Sequence, residues 1–152
     1  MKHPAYLAFG LLLFVVLACN LGKRNTNSTS TANENTAGSS SAVITEINMA
    51  RDDGKGDPGN ESGEFSPSDR TIHCVVRLTD AKAGTKMTFS WWVVDADNTQ
   101  NEKIKDIEYT TRALENVVHS HLTLPQDWPK GKYKVEVYVN GNLEKTIGYM
   151  VA

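Results

Sequence analysis

Along most of the chain, apolar side chains recur at every second position, the period that places them on one face of a β-strand. Ile72, Cys74, Val76 and Leu78 share one face of such a run, opposite His73, Val75 and Arg77. Met87, Phe89, Trp91 and Val93 form a second set, which turns Trp92 to the other side. Tyr133, Val135, Val137 and Val139 form a third, alternating with Lys132, Lys134, Glu136 and Tyr138. Val118, Ser120, Leu122 and Leu124 alternate against Val117, His119, His121 and Thr123. Val43, Thr45, Ile47 and Met49 predict an opening strand, and residues 143–151 a closing one. Asn140-Gly141 before that last strand supplies the positive φ angles of a tight hairpin. Residues 104–110 make a weaker run, expected at a sheet edge, and residues 111–117 carry only a weak helical turn. About seven short strands separated by turn residues predict an all-β antiparallel sandwich over residues 43–152.

Two segments break the alternation. After the basic start at Lys2 and His3, residues 5–18 run for fourteen positions without a charge. That is the length of a signal-peptide core and falls short of the roughly 20 residues of a spanning helix. Residues 20–42 contain 14 Ser, Thr or Asn among 23 positions and no aromatic side chain. Such a stretch buries too little apolar surface to offset its ordering entropy, so it is expected to be a disordered tether. As a flexible coil it spans about 25 Å root-mean-square. The chain therefore divides into a signal peptide at 1–18, a tether at 19–42 and one folded domain at 43–152.

Charge narrows the partners. Lys plus Arg number 16 and Asp plus Glu 18, a formal net charge of -2. This balance lacks the basic footprint of a nucleic-acid-binding domain, so no nucleic-acid partner is expected. Two cysteines cannot build a disulfide scaffold. The chain holds no Gly-x-Ser-x-Gly elbow, His-Glu-x-x-His pair, phosphate-binding loop or Cys-x-x-Cys motif. No catalytic residue and no cofactor is expected, and the chain reads as a non-enzyme.

Val16-Leu17-Ala18-Cys19, placed where the apolar run ends, resembles the bacterial lipobox. The resemblance implies a diacylglyceryl group on the Cys19 thiol, loss of residues 1–18, and anchorage to a cell-envelope membrane through the acyl chains. Asn20, not Asp, follows the cysteine, which by the same resemblance favours the outer membrane in a two-membrane cell. In the folded part, Cys74 on the second strand, Trp91 on the third, and the run Asp127-Trp128-Pro129-Lys130-Gly131-Lys132-Tyr133-Lys134-Val135 resemble the landmarks of an immunoglobulin-like domain. That resemblance implies that Tyr133 is a corner tyrosine. It also makes Val135 the replacement for the second core cysteine, so the inter-sheet disulfide is absent and Cys74 is unpaired. The whole chain is similar to uncharacterised bacterial lipoproteins carrying one such sandwich.

Three sets of residues carry candidate chemistry. His119 and His121 lie two apart on one strand and leave the same outward face, while His73 is outward on the second strand. In an immunoglobulin-like arrangement those two strands are neighbours, so the three imidazoles converge on a metal or pH-sensitive patch unless they are simply solvated. Asp52, Asp53 and Asp57 stand in an acidic, Gly-rich segment with the oxygen donors of a calcium site, but without EF-hand spacing and with Lys55 opposing. Trp92 either offers an aromatic face to a partner or packs under a loop at residues 95–103. Trp92, His119 and His121 together form the candidate binding surface. The leading expectation is a lipid-anchored envelope protein with a non-catalytic binding or scaffolding domain, its partner an envelope protein or glycan. The alternatives are a protease-inhibitor-like sandwich acting through end loops, and a metal-binding envelope protein using His73, His119 and His121.

Overall fold

Period-2 patterning folds here into two facing sheets. The computed structural model describes residues 42–152; the expected signal peptide, Cys19 and the expected tether up to residue 41 lie outside the described residues. The strands are β1 (Val43–Asp52), β2 (Pro58–Glu61), β3 (Glu64–Phe65), β4 (Thr71–Thr79), β5 (Lys86–Ala96), β6 (Thr99–Thr110), β7 (Val117–Thr123), β8 (Gly131–Val139) and β9 (Asn142–Val151). One sheet has the order β2-β1-β4-β7 and the other β3-β9-β8-β5-β6. The pairings are antiparallel, apart from a two-residue parallel match of Glu64 and Phe65 with Met150 and Val151. The all-β, immunoglobulin-like sandwich expected from the pattern is the architecture observed.

The inward sets meet between the sheets. Ile72, Cys74, Val76 and Leu78 of β4 face Met87, Phe89 and Trp91 of β5 and Tyr133, Val135, Val137 and Val139 of β8, all buried. Each fully buried apolar side chain contributes about 1.5–3 kcal/mol relative to exposure. Trp91 and Val135 are directly paired across β5 and β8. Cys74 is buried and carries no disulfide. The Tyr133 hydroxyl donates to the Pro129 carbonyl at 2.6 Å, the corner bond its sequence context implied. Trp128 stands edge-on to Tyr133 at 5.3 Å and donates its indole N–H to the Arg70 carbonyl at 3.0 Å, closing that end of the sandwich. Gly131 is obligatory there, because a Cβ would collide with the Asp95 carbonyl and the Ala96 side chain.

Four local expectations change. In β1 the register slips between Ile44 and Glu46, so Thr45 bulges and points to solvent. Ile44 and Met49, on opposite sides of that bulge, both reach the core. An inserted residue reverses a period-2 phase, which a strict alternation cannot anticipate. Residues 95–103 are no loop: Asp97 and Asn98, at φ 46° and 64°, turn β5 directly into β6. Residues 111–117 hold a reverse turn with Leu114 at φ 62° instead of a helical turn. The Gly-rich segment after β1 adds two short strands, β2 and β3. The weaker run at 104–110 does lie at a sheet edge, within the longer β6.

Candidate metal centre

β4 and β7 are hydrogen-bonded neighbours, with His73 opposite His121 and Val75 opposite His119. Directly paired residues share a sheet face. His73 therefore points to the outer face with His121, and His119 follows two positions away on the same side. The His73 ring centroid lies 5.3 Å from that of His121 and 5.8 Å from that of His119. Each imidazole offers a nitrogen to a cluster in which all three atoms lie within 4.8 Å of one another.

Burial divides the three. His119 and His121 are exposed, as expected for a solvated face, but His73 has 0% exposure. The reason is the strand on its other side. Ala50 of β1 pairs with His73 and is itself buried, and Asp52 follows two positions later at the end of β1. The His73 Nε2 lies at hydrogen-bond distance from Asp52 Oδ2, 2.9 Å away. His73 Nδ1 is buried and has no hydrogen-bond partner.

Asp52 is itself held. Its Oδ1 accepts the Gly54 N–H at 2.7 Å, and Gly54 sits at φ 86°, where glycine adds no steric cost. Asp53 turns the same segment back on itself: its N–H donates to the Asp57 carbonyl, and its Oδ1 accepts the N–H groups of Lys55 and Asp57. The acidic segment and the histidine set are thus joined through Asp52. Asp53 accepts bonds from its own turn, and Asp57 is exposed.

Electrostatics act on two groups of this cluster. The hydrogen bond with His73 holds the Asp52 carboxyl below the usual carboxylate range, and the Gly54 N–H acts in the same direction. Desolvation pushes His121 below the ordinary histidine value. A neutral imidazole is the form that binds a metal ion. Zinc–nitrogen bonds of about 2.0–2.1 Å in tetrahedral geometry put ligand nitrogens about 3.3 Å apart. The present spread of up to 4.8 Å is wider than that, so the exposed His119 and His121 side chains would have to turn toward an ion. Three nitrogens leave one position open to solvent, and imidazole donors suit zinc, copper or nickel.

Trp92 belongs elsewhere. It lies on β5, in the other sheet, and its outward face is the opposite side of the sandwich from the histidines. The structure thus divides the expected surface of Trp92, His119 and His121 into two. The ring is half-buried beneath Lys103 of β6 at 5.0 Å and Lys134 of β8 at 5.1 Å, cations lying over an aromatic face. Among the described residues, the most exposed large apolar side chain is Leu114, at 92%. A single side chain on one turn does not make an apolar patch.

Sequence reasoning did not connect Asp52 with His73. A signal existed: Asp-x-Gly at the end of a strand favours an Asx-turn, in which the carboxylate accepts from the backbone N–H two residues on. The alternation of Ile47 and Met49 already turns Asp52 outward; what it leaves open is that β1 lies beside β4, with Ala50 opposite His73.

No protein-family model matches the sequence. No curated protein matches it. Among solved structures, the chain is similar to an immunoglobulin-like protein from Pseudomonas aeruginosa, with a TM-score of 0.52 and 11% sequence identity over 73% of this chain and 96% of that one. At that identity the likeness is one of fold.

Proposed function

We propose that this chain is a lipid-anchored cell-envelope protein whose immunoglobulin-like sandwich binds a transition-metal ion, without catalysis, through His73, His119 and His121. One observation carries the metal reading: a fully buried imidazole, bonded to a carboxylate on one nitrogen and unpartnered on the other, stands beside two exposed imidazoles. Burying a polar nitrogen without a partner costs free energy, and a bound cation removes that cost. A solvated patch of histidines needs neither the burial nor the carboxylate.

Anchorage through Cys19 would hold the site in the cell envelope, where an ion-capturing or ion-donating surface is useful. The lipobox resemblance supports this, and among the described residues no helix is long and apolar enough to cross a membrane. Calorimetric titration with Zn²⁺ and with Cu²⁺ tests the reading. Saturable binding of one ion per chain, lost in a His119→Ala, His121→Ala variant, is expected. Absence of saturable binding, or its persistence in the variant, overturns it.

A further inference from the structure

We propose that Asp52 is the positioning residue of this centre, and that it decides which nitrogen of His73 meets the ion. The proposal rests on the metal-binding reading above.

The argument starts from the two nitrogens of one buried ring. A neutral imidazole carries a single N–H, and an ionised carboxylate only accepts. With Nε2 at 2.9 Å from Asp52 Oδ2, the proton belongs on Nε2. The Nδ1 lone pair is then free, and Nδ1 is the nitrogen without a hydrogen-bond partner. Carboxylate–imidazole pairs of this kind fix the tautomer and ring orientation of metal-binding histidines and make the free nitrogen more basic. The carboxylate is also aimed from behind, since the Gly54 N–H holds its other oxygen at 2.7 Å.

The three histidines consequently differ in role. His73 is an immobile anchor, locked by burial and by Asp52. His119 and His121 are exposed and turn onto an ion that His73 already holds. The carboxylate one bond behind the anchor also offsets part of the charge of a divalent ion.

Two measurements on the purified full-length protein test this. Long-range ¹⁵N correlation spectra of the zinc-free protein should show His73 in the Nε2–H tautomer, and adding Zn²⁺ should shift Nδ1. Asp52→Asn should weaken Zn²⁺ binding by about 10–100-fold and mix the His73 tautomers, because an amide can donate as well as accept. An Nδ1–H tautomer in the wild type, Zn²⁺ bound through Nε2, or Asp52→Asn affinity within about twofold of wild type each overturns the assignment. Should Asp52→Asn fail to fold, the wild-type tautomer and the nitrogen shifted by Zn²⁺ decide it. A wild type that takes no Zn²⁺ overturns the metal reading and this assignment together, whereas unchanged affinity in the variant overturns this assignment alone.

Discussion

Adding Zn²⁺ should raise the melting temperature of the wild-type protein and leave the His119→Ala, His121→Ala variant unmoved. An ion that binds the native state stabilises it by RT ln(1 + [L]/Kd), about 2.7 kcal/mol when the free ion is at 100 times Kd. The folded part holds about 110 residues. With about 2.1 cal/mol/K of unfolding entropy per residue, the melting entropy is about 0.23 kcal/mol/K. The expected shift is therefore about 10–12 °C. Both substituted histidines are exposed, so without zinc the variant should melt close to wild type, within about 0.5 kcal/mol. Differential scanning calorimetry at several zinc concentrations provides the assay, since a linked shift must grow with the logarithm of free zinc. Equal shifts in wild type and variant would place the binding elsewhere on the chain and refute the centre. No shift in the wild type would refute it as directly.

Trp91 is fully buried and Trp92 half-buried, so Trp91→Ala should cost about 3–5 kcal/mol and Trp92→Ala distinctly less in denaturant melts; the reverse order would put β5 in the wrong register. Tyr133→Phe removes only the hydroxyl bonded to Pro129 and should cost about 1 kcal/mol by the same measurement; no loss would deny the corner bond its role. Burial pushes the Cys74 thiol from 9.0 up to about 12. The folded state thus keeps its proton where the unfolded chain loses it, so this contribution is complete below pH 9 and falls between about 9 and 12. Tyr149, also raised by burial, acts in the same direction. Urea midpoints should drop across that alkaline window, and thiol reagents at neutral pH should label Cys74 only as fast as the protein opens; rapid native-state labelling would contradict its burial. Cys19→Ser should release the protein from the membrane fraction and abolish palmitate labelling, and a variant that stays with the membrane would end the lipoprotein reading.

The strands from Ile72 to Leu78, Met87 to Trp91 and Tyr133 to Val139 were legible in the sequence because each keeps an unbroken period of two. A one-sided core requires that period, and nothing in these three inward sets interrupts it. The corner tyrosine was legible for a similar reason, since its bond to Pro129 spans only four residues. In β1 the inward placement of Ile47 and Met49 was legible, but the outward turn of Thr45 was not, because the bulge there is set by pairing with β4 and leaves no mark on the composition of the strand. The candidate site divides along the same line. His119 and His121 share a face by spacing alone. That His73 lies opposite His121 follows from the β4–β7 register, which depends on the whole sandwich closing. The burial of His73 and its bond to Asp52 depend on a third strand arriving from the other side, 21 positions earlier in the chain. Local patterning could show that imidazoles face outward. Only the packing of three non-consecutive segments could make one of them a buried, oriented donor.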